Sequence, residues 1–123
     1  MAKERIARVM WVELEQCRRE FVSEVVVCPM ISLGGVERAS GFDFSYRIKL
    51  QDMLHGRKEV IECFLHEIMH IWLMHVVGMN GSHQEFEKAI IERAATLATE
   101  HDEAVWQSLI LLLHARDIAS FLR

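Results

Sequence analysis

The chain has 123 residues, enough for one domain with one sizeable core and too few for two. Hydrophobic residues make up 51% and charged residues 26%, a globular balance that excludes disorder, and a single proline with six glycines argues against a turn-rich all-β fold. A formal charge of -4 excludes the basic footprint of sequence-independent nucleic-acid binding.

Residues 3–22 place apolar side chains at Ile6, Val9, Met10, Leu14, Cys17 and Phe21, the spacing of one amphipathic helix. Lys3, Arg5, Arg8 and Arg18 are expected elsewhere on its surface. No apolar stretch of signal-peptide type follows the charged start. Val25, Val26 and Val27 predict a short strand ended by Pro29. Gly34-Gly35 and Ser40-Gly41 are turn signals. Residues 42–50 alternate Phe42, Phe44, Tyr46, Ile48 and Leu50 with polar side chains, the clearest strand in the chain. From Arg57 to Val77 the pattern is helical and apolar nearly all round, which predicts a central buried helix ended by Gly78 in a left-handed cap. No uninterrupted apolar run approaches the roughly 18 residues of a membrane span. Asn80-Gly81 is a turn signal. Ser82 and Glu85 then form a capping box for a helix running to about Thr99. A last helix is expected from Asp102 to Leu122, containing the run Leu109 to Leu113. With no repeat or linker, residues 1–123 read as a single domain.

Three cysteines, Cys17, Cys28 and Cys63, cannot pair completely and lack metal-site spacing, so free thiols in a reducing cytoplasm are expected. Cys28 is also weighed as a thiolate that blocks a metal site. Seven histidines is the unusual count. Two of them stand in His66-Glu67-Ile68-Met69-His70, the pattern HExxH. At about 100° per helical residue, His66 and His70 project from one face, one turn apart. Two imidazoles so placed grip one zinc ion, and Glu67 reaches a water on that ion as general base without being a ligand. The competing reading is a pair of core histidines beside a glutamate paired with arginine.

A catalytic zinc site needs a third protein ligand. His75 lies about 140° from His70 on the same helix and faces away. His83 and Glu92 share the next helix but lie about 180° apart, so one or the other faces the metal. Its apolar stripe, Phe86, Ile90, Ala94 and Leu97, favours burying His83. Glu92, 22 residues after His70, has the small neighbours Ala89, Ala95, Thr96 and Thr99, which permit close helix approach. Glu92 is therefore the expected third ligand and His83 the reserve.

His66-Glu67-Ile68-Met69-His70 followed by Ile91-Glu92-Arg93-Ala94-Ala95 resembles the gluzincin pattern, HExxH and then a glutamate helix with ExxA. The nearer likeness is to minigluzincins and ImmA/IrrE-type peptidases of phage and mobile elements, and it covers residues 41–100. It implies a mostly helical α+β fold: a compact zincin-like core with a small antiparallel or mixed sheet, an HExxH helix, a glutamate helix and flanking terminal helices. It also implies a zinc-dependent endopeptidase with ligands His66, His70 and Glu92 and general base Glu67. Thr96 stands where larger gluzincins carry an aspartate that orients a ligand histidine. Tyr46, His83, Arg93, His101 and His114 are the candidates for stabilising the oxyanion. Gly81-Ser82-His83-Gln84-Glu85-Phe86 resembles the histidine segment of SprT-like proteases, which implies His83 as third ligand, although the His-to-Phe spacing is one residue shorter.

The expected function is hydrolysis of a protein or peptide substrate, with the strand 42–50 as the edge that an extended substrate joins. Minigluzincins include latent forms, so the last helix is read either as a cover over the cleft or as part of the core. The remaining alternative is a non-catalytic zinc-binding protein whose apolar last helix forms a homodimer face. Neither nucleic acid nor membrane is expected as a partner.

Overall fold

The computed structural model describes residues 1–39, 45–114 and 117–118. The fold is α+β and mostly helical, with a three-stranded mixed sheet. The predicted first helix is two helices, α1 (Ala2–Arg8) and α2 (Trp11–Phe21). Val9 leaves the helix at ψ 135° and Met10 is extended. The Val9 carbonyl accepts hydrogen bonds from Arg93 Nε at 3.0 Å and Nη2 at 2.8 Å, so a distant guanidinium replaces the next helical turn. The break lets Ile6, Val9, Trp11 and Leu14 all enter the core, and Arg18, expected on the surface, is buried on α2.

Strand β1 (Val22–Cys28) contains the predicted valine run. The Gly34-Gly35 turn signal lies instead inside strand β2 (Gly34–Arg38), and neither glycine has a positive φ. Glycine is needed there for close approach. A Cβ on Gly34 would lie 3.2 Å from the Lys49 carbonyl oxygen and 3.3 Å from Glu67 Cγ. Strand β3 (Tyr46–Gln51) buries Tyr46, Ile48 and Leu50 on one face, as its alternation predicts. The expected turn at Ser40-Gly41 and the expected strand residues 42–44 lie outside the described residues.

The sheet order is β1-β3-β2, with β1 parallel and β2 antiparallel to β3. This corrects the expected substrate edge. Strand β3 is central and its backbone is paired on both sides, so an extended peptide cannot join it. The edge beside α3 is β2.

Helix α3 (Arg57–Trp72) continues as a π turn over Leu73–Val77, and Gly78 ends it at φ 86°. Met79 N–H closes that turn on the Leu73 carbonyl at 2.8 Å. By length and composition Arg57–Val77 is apolar enough to cross a membrane, but 56% of its most apolar stretch is buried inside the fold, as befits a central core helix. Ser82 does accept the Gln84 N–H, at 3.2 Å, yet a 3-10 turn (Gln84–Phe86) intervenes and helix α4 runs Glu87–Glu100. The delay follows from His83, which is buried against α3 and holds the chain there before the helix starts.

Helix α5 spans Asp102–Ile110, shorter than predicted, and residues 115–116 and 119–123 lie outside the described ones. Val105, Trp106, Leu109 and Leu113 are buried, the Arg57 guanidinium sits 5.0 Å over Trp106, and the Leu112 carbonyl accepts Val25 N–H at 3.3 Å. This segment completes the core. Leu109→Ala is expected to destabilise the protein by about 2–5 kcal/mol, measured by urea unfolding.

Candidate metal centre

His66 and His70 lie one turn apart on α3, with ring centroids 4.8 Å apart and an edge-to-face tilt of 76°. Both turn Nε2 toward one carboxylate, that of Glu87, the first residue of α4. His66 Nε2 is 2.7 Å from Glu87 Oε2, and His70 Nε2 is 2.8 Å from Glu87 Oε1. Glu67 is buried on the other side of His66, with Oε2 3.3 Å from His66 Nδ1 and its methylenes against Gly34. One donor atom each from His66, Glu67 and His70 falls within a span of 4.8 Å.

The sequence-predicted ligands therefore separate. His66 and His70 are brought together as expected. Glu92 is not at the site. It is exposed, and five helical residues past Glu87 it points about 140° away. Thr96 and Thr99 beside it are exposed and turn their hydroxyls back to the Glu92 and Ala95 carbonyls, at 3.1 Å each. Ala89 packs against the core, while the Thr96 and Thr99 side of that face is open to solvent. Glu87 was missed by the sequence reading. Its signal was phase: Glu87, Ile90, Ala94 and Leu97 follow the 3-4-3 spacing of one helix face, and the last three are buried.

His83 is buried beside the pair, with Nδ1 2.9 Å from His70 Nδ1. His75 is elsewhere, stacked on Phe21 and 2.6 Å from the Tyr46 hydroxyl through Nε2. Arg93 is engaged with Val9, His101 sits by Glu100, and His114 is exposed. None of the five oxyanion candidates lines the cleft next to the histidines.

That cleft has a volume of about 330 Å³ and apolar walls from Leu33, Cys63, Ile91 and Ala94, with His66, Glu67 and Glu87 at its polar end. Leu33 and Ile91 are each more than half exposed, an apolar rim of the kind that marks binding sites. Cys28 does not line it. Cys63 does, and burial and then the Glu67 charge push its thiol up to about 11. Gly34→Val would press a side chain onto Glu67 and the Lys49 carbonyl. It is expected to cost about 1–3 kcal/mol in thermal unfolding experiments.

Burial alone would lower the His66 pKa. Hydrogen bonds and charge from Glu67 and Glu87 outweigh it and carry His66 up to about 9. His70 is lowered, by burial and then by the His66 charge. Burial pushes Glu87 up, but its bonds to His66 and the charges of both imidazoles bring it below the usual carboxylate value. The raised His66 stabilises the fold fully below the ordinary imidazole value of 6.5, and that stability is lost as pH rises through about 9. The lowered Glu87 contributes above its usual 4.5 and ceases to as pH falls through its folded value. In metal-free protein the pair is therefore strongest between pH 4.5 and 6.5. Thermal melts are expected to show the stability advantage of wild type over His66→Gln shrinking from pH 6.5 to 9.5.

Compared with known protein families, with curated proteins and with solved structures, the chain matches none of them.

Proposed function

We propose that this chain is a zinc-dependent peptide hydrolase of the HExxH type, with His66, His70 and Glu87 as ligands and Glu67 as general base. The observation that carries this reading is the convergence of two imidazole Nε2 atoms and one carboxylate at the polar end of an apolar cleft, with a second carboxylate buried alongside. Two imidazoles and a carboxylate are a donor set suited to zinc, and three protein ligands leave a position open. Zinc, when bound, supplies polarisation of a peptide carbonyl and acidification of a water. Glu67 lies outside the ligand set. Its carboxylate takes the proton of the attacking water and returns it to the leaving amine nitrogen.

Strand β2 is the edge that receives the substrate. Among the described residues β2 is an edge strand, and a Cβ on its Gly34 would lie 3.3 Å from Glu67 Cγ. An extended peptide joining that edge brings its backbone past Glu67 and an apolar side chain into the cleft.

The test is metal analysis of the purified chain together with its action on an unfolded polypeptide such as denatured casein. One zinc per chain is expected, with cleavage that stops on chelation and returns with zinc. Bound zinc without cleavage overturns the hydrolase reading, and failure to bind zinc overturns the metal centre as well.

A further inference from the structure

We propose that His83 is a positioning residue that holds His70 in the tautomer whose Nε2 lone pair faces the site, through a hydrogen-bond relay from His70 Nδ1 across His83 to the Met79 carbonyl. The inference rests on the reading of His70 as a ligand. The direction of the relay follows from its far end. Met79 O can only accept, so His83 Nε2, 2.9 Å away, carries a proton and donates. His83 is 6% exposed, and its polar partners are that carbonyl and His70. A histidine that gives its Nε2 lone pair to a metal carries its one proton on Nδ1. With His70 ligating through Nε2, its Nδ1 donates and His83 Nδ1 accepts. The atom facing that Nδ1 at 2.9 Å is His70 Nδ1, which must be the donor. The lone pair of His70 is left on Nε2, the atom turned to Glu87 Oε1 at 2.8 Å.

The same geometry separates a positioning role from a ligand role. The two rings are within 6° of parallel, and their centroids are 5.2 Å apart. That separation exceeds the 2.9 Å between the nitrogens by only two ring radii, so the rings are coplanar and the nitrogens meet head to head. This is the alignment of an N–H···N hydrogen bond. Imidazoles that share a tetrahedral ion aim their lone pairs at a third point instead. Histidine ligands generally donate their second nitrogen to a carboxylate, carbonyl or water, which fixes the tautomer. Here an imidazole is inserted between ligand and carbonyl. The last acceptor is itself anchored, because Met79 N–H is held by the Leu73 carbonyl at the end of α3.

The experiment is long-range 1H–15N spectroscopy of the full chain, first metal-free and then loaded with 113Cd. In metal-free protein His70 is expected to be protonated on Nδ1 and His83 on Nε2, with scalar coupling between the two Nδ1 atoms. A His70 protonated on Nε2 overturns the relay. With cadmium bound, coupling to the metal is expected at Nε2 of His66 and His70. Cadmium coupling at His83 would make it a ligand and overturn the proposal. His83→Leu is expected to lower zinc affinity about 10- to 100-fold, by competition with a chromophoric chelator, and to shift His70 toward the other tautomer. His83→Gln, whose amide both accepts and donates, should recover most of that loss. An unchanged His70 tautomer in His83→Leu counts against the proposal. Should His83→Leu fail to fold, the wild-type spectra still decide. If neither zinc nor cadmium binds, the hydrolase reading fails while the metal-free spectra still test the relay.

Discussion

Glu67→Gln is expected to leave zinc affinity within a few fold of wild type and to lower peptide hydrolysis by about 100- to 10,000-fold, the range for loss of a positioned general base. The two effects separate because Glu67 contacts the site from the β2 side, while Glu87 is the carboxylate that faces both Nε2 atoms. Glutamine keeps the volume that Gly34 is shaped around, so the fold has no reason to change. It removes the proton acceptor. Chelator competition and initial rates on one substrate measure both. Full activity in the glutamine variant would falsify the general-base assignment, and loss of zinc would make Glu67 part of the ligand set.

The second large effect separates two glutamates on one helix. Glu87→Ala is expected to weaken zinc binding by more than about 100-fold, beyond the loss caused by removing a group that merely orients a ligand. Glu92→Ala should leave it unchanged. The two sites are five residues apart and point about 140° apart, so any shared effect of shortening a glutamate on α4 cancels in the comparison. The variants are compared for zinc affinity and for unfolding midpoint. Unchanged affinity in Glu87→Ala, with a loss in Glu92→Ala, reverses the assignment.

The legible part of the site is the part written within one element. His66 and His70 share a face because their spacing equals a helical turn, and the apolar surround of α3 announces a buried helix whatever it packs against. The alternation of β3 and the cap at Gly78 are of the same kind. The predicted helix at 3–22 failed where one long-range contact, Arg93 on the Val9 carbonyl, competes with a local hydrogen bond. Glycines 34 and 35 were read as a turn because pattern cannot distinguish a glycine needed for its φ from one needed for its missing Cβ. Only the neighbour, Glu67, makes that distinction.

The third carboxylate shows the division most clearly. Periodicity sets which residues of α4 share a face, but the expected 180° between His83 and Glu92 assumed one continuous helix, and His83 lies before the 3-10 turn, outside α4. It does not set where α4 begins or which face meets α3. Those depend on residues 78–86, where a left-handed glycine at Gly78, another at Gly81 and the buried His83 turn the chain and delay the helix to Glu87. That delay makes Glu87 the first helical residue, opposite the two histidines. Sheet order is the same kind of fact: strand character was readable at β3, but its central place rests on pairing with segments 8 to 24 residues away in register. Spacing along the chain determines the pair of imidazoles, because a helix is a local object. The partner carboxylate, the free strand edge and the relay behind His70 are determined by how elements meet, because each depends on contacts between residues far apart in the chain.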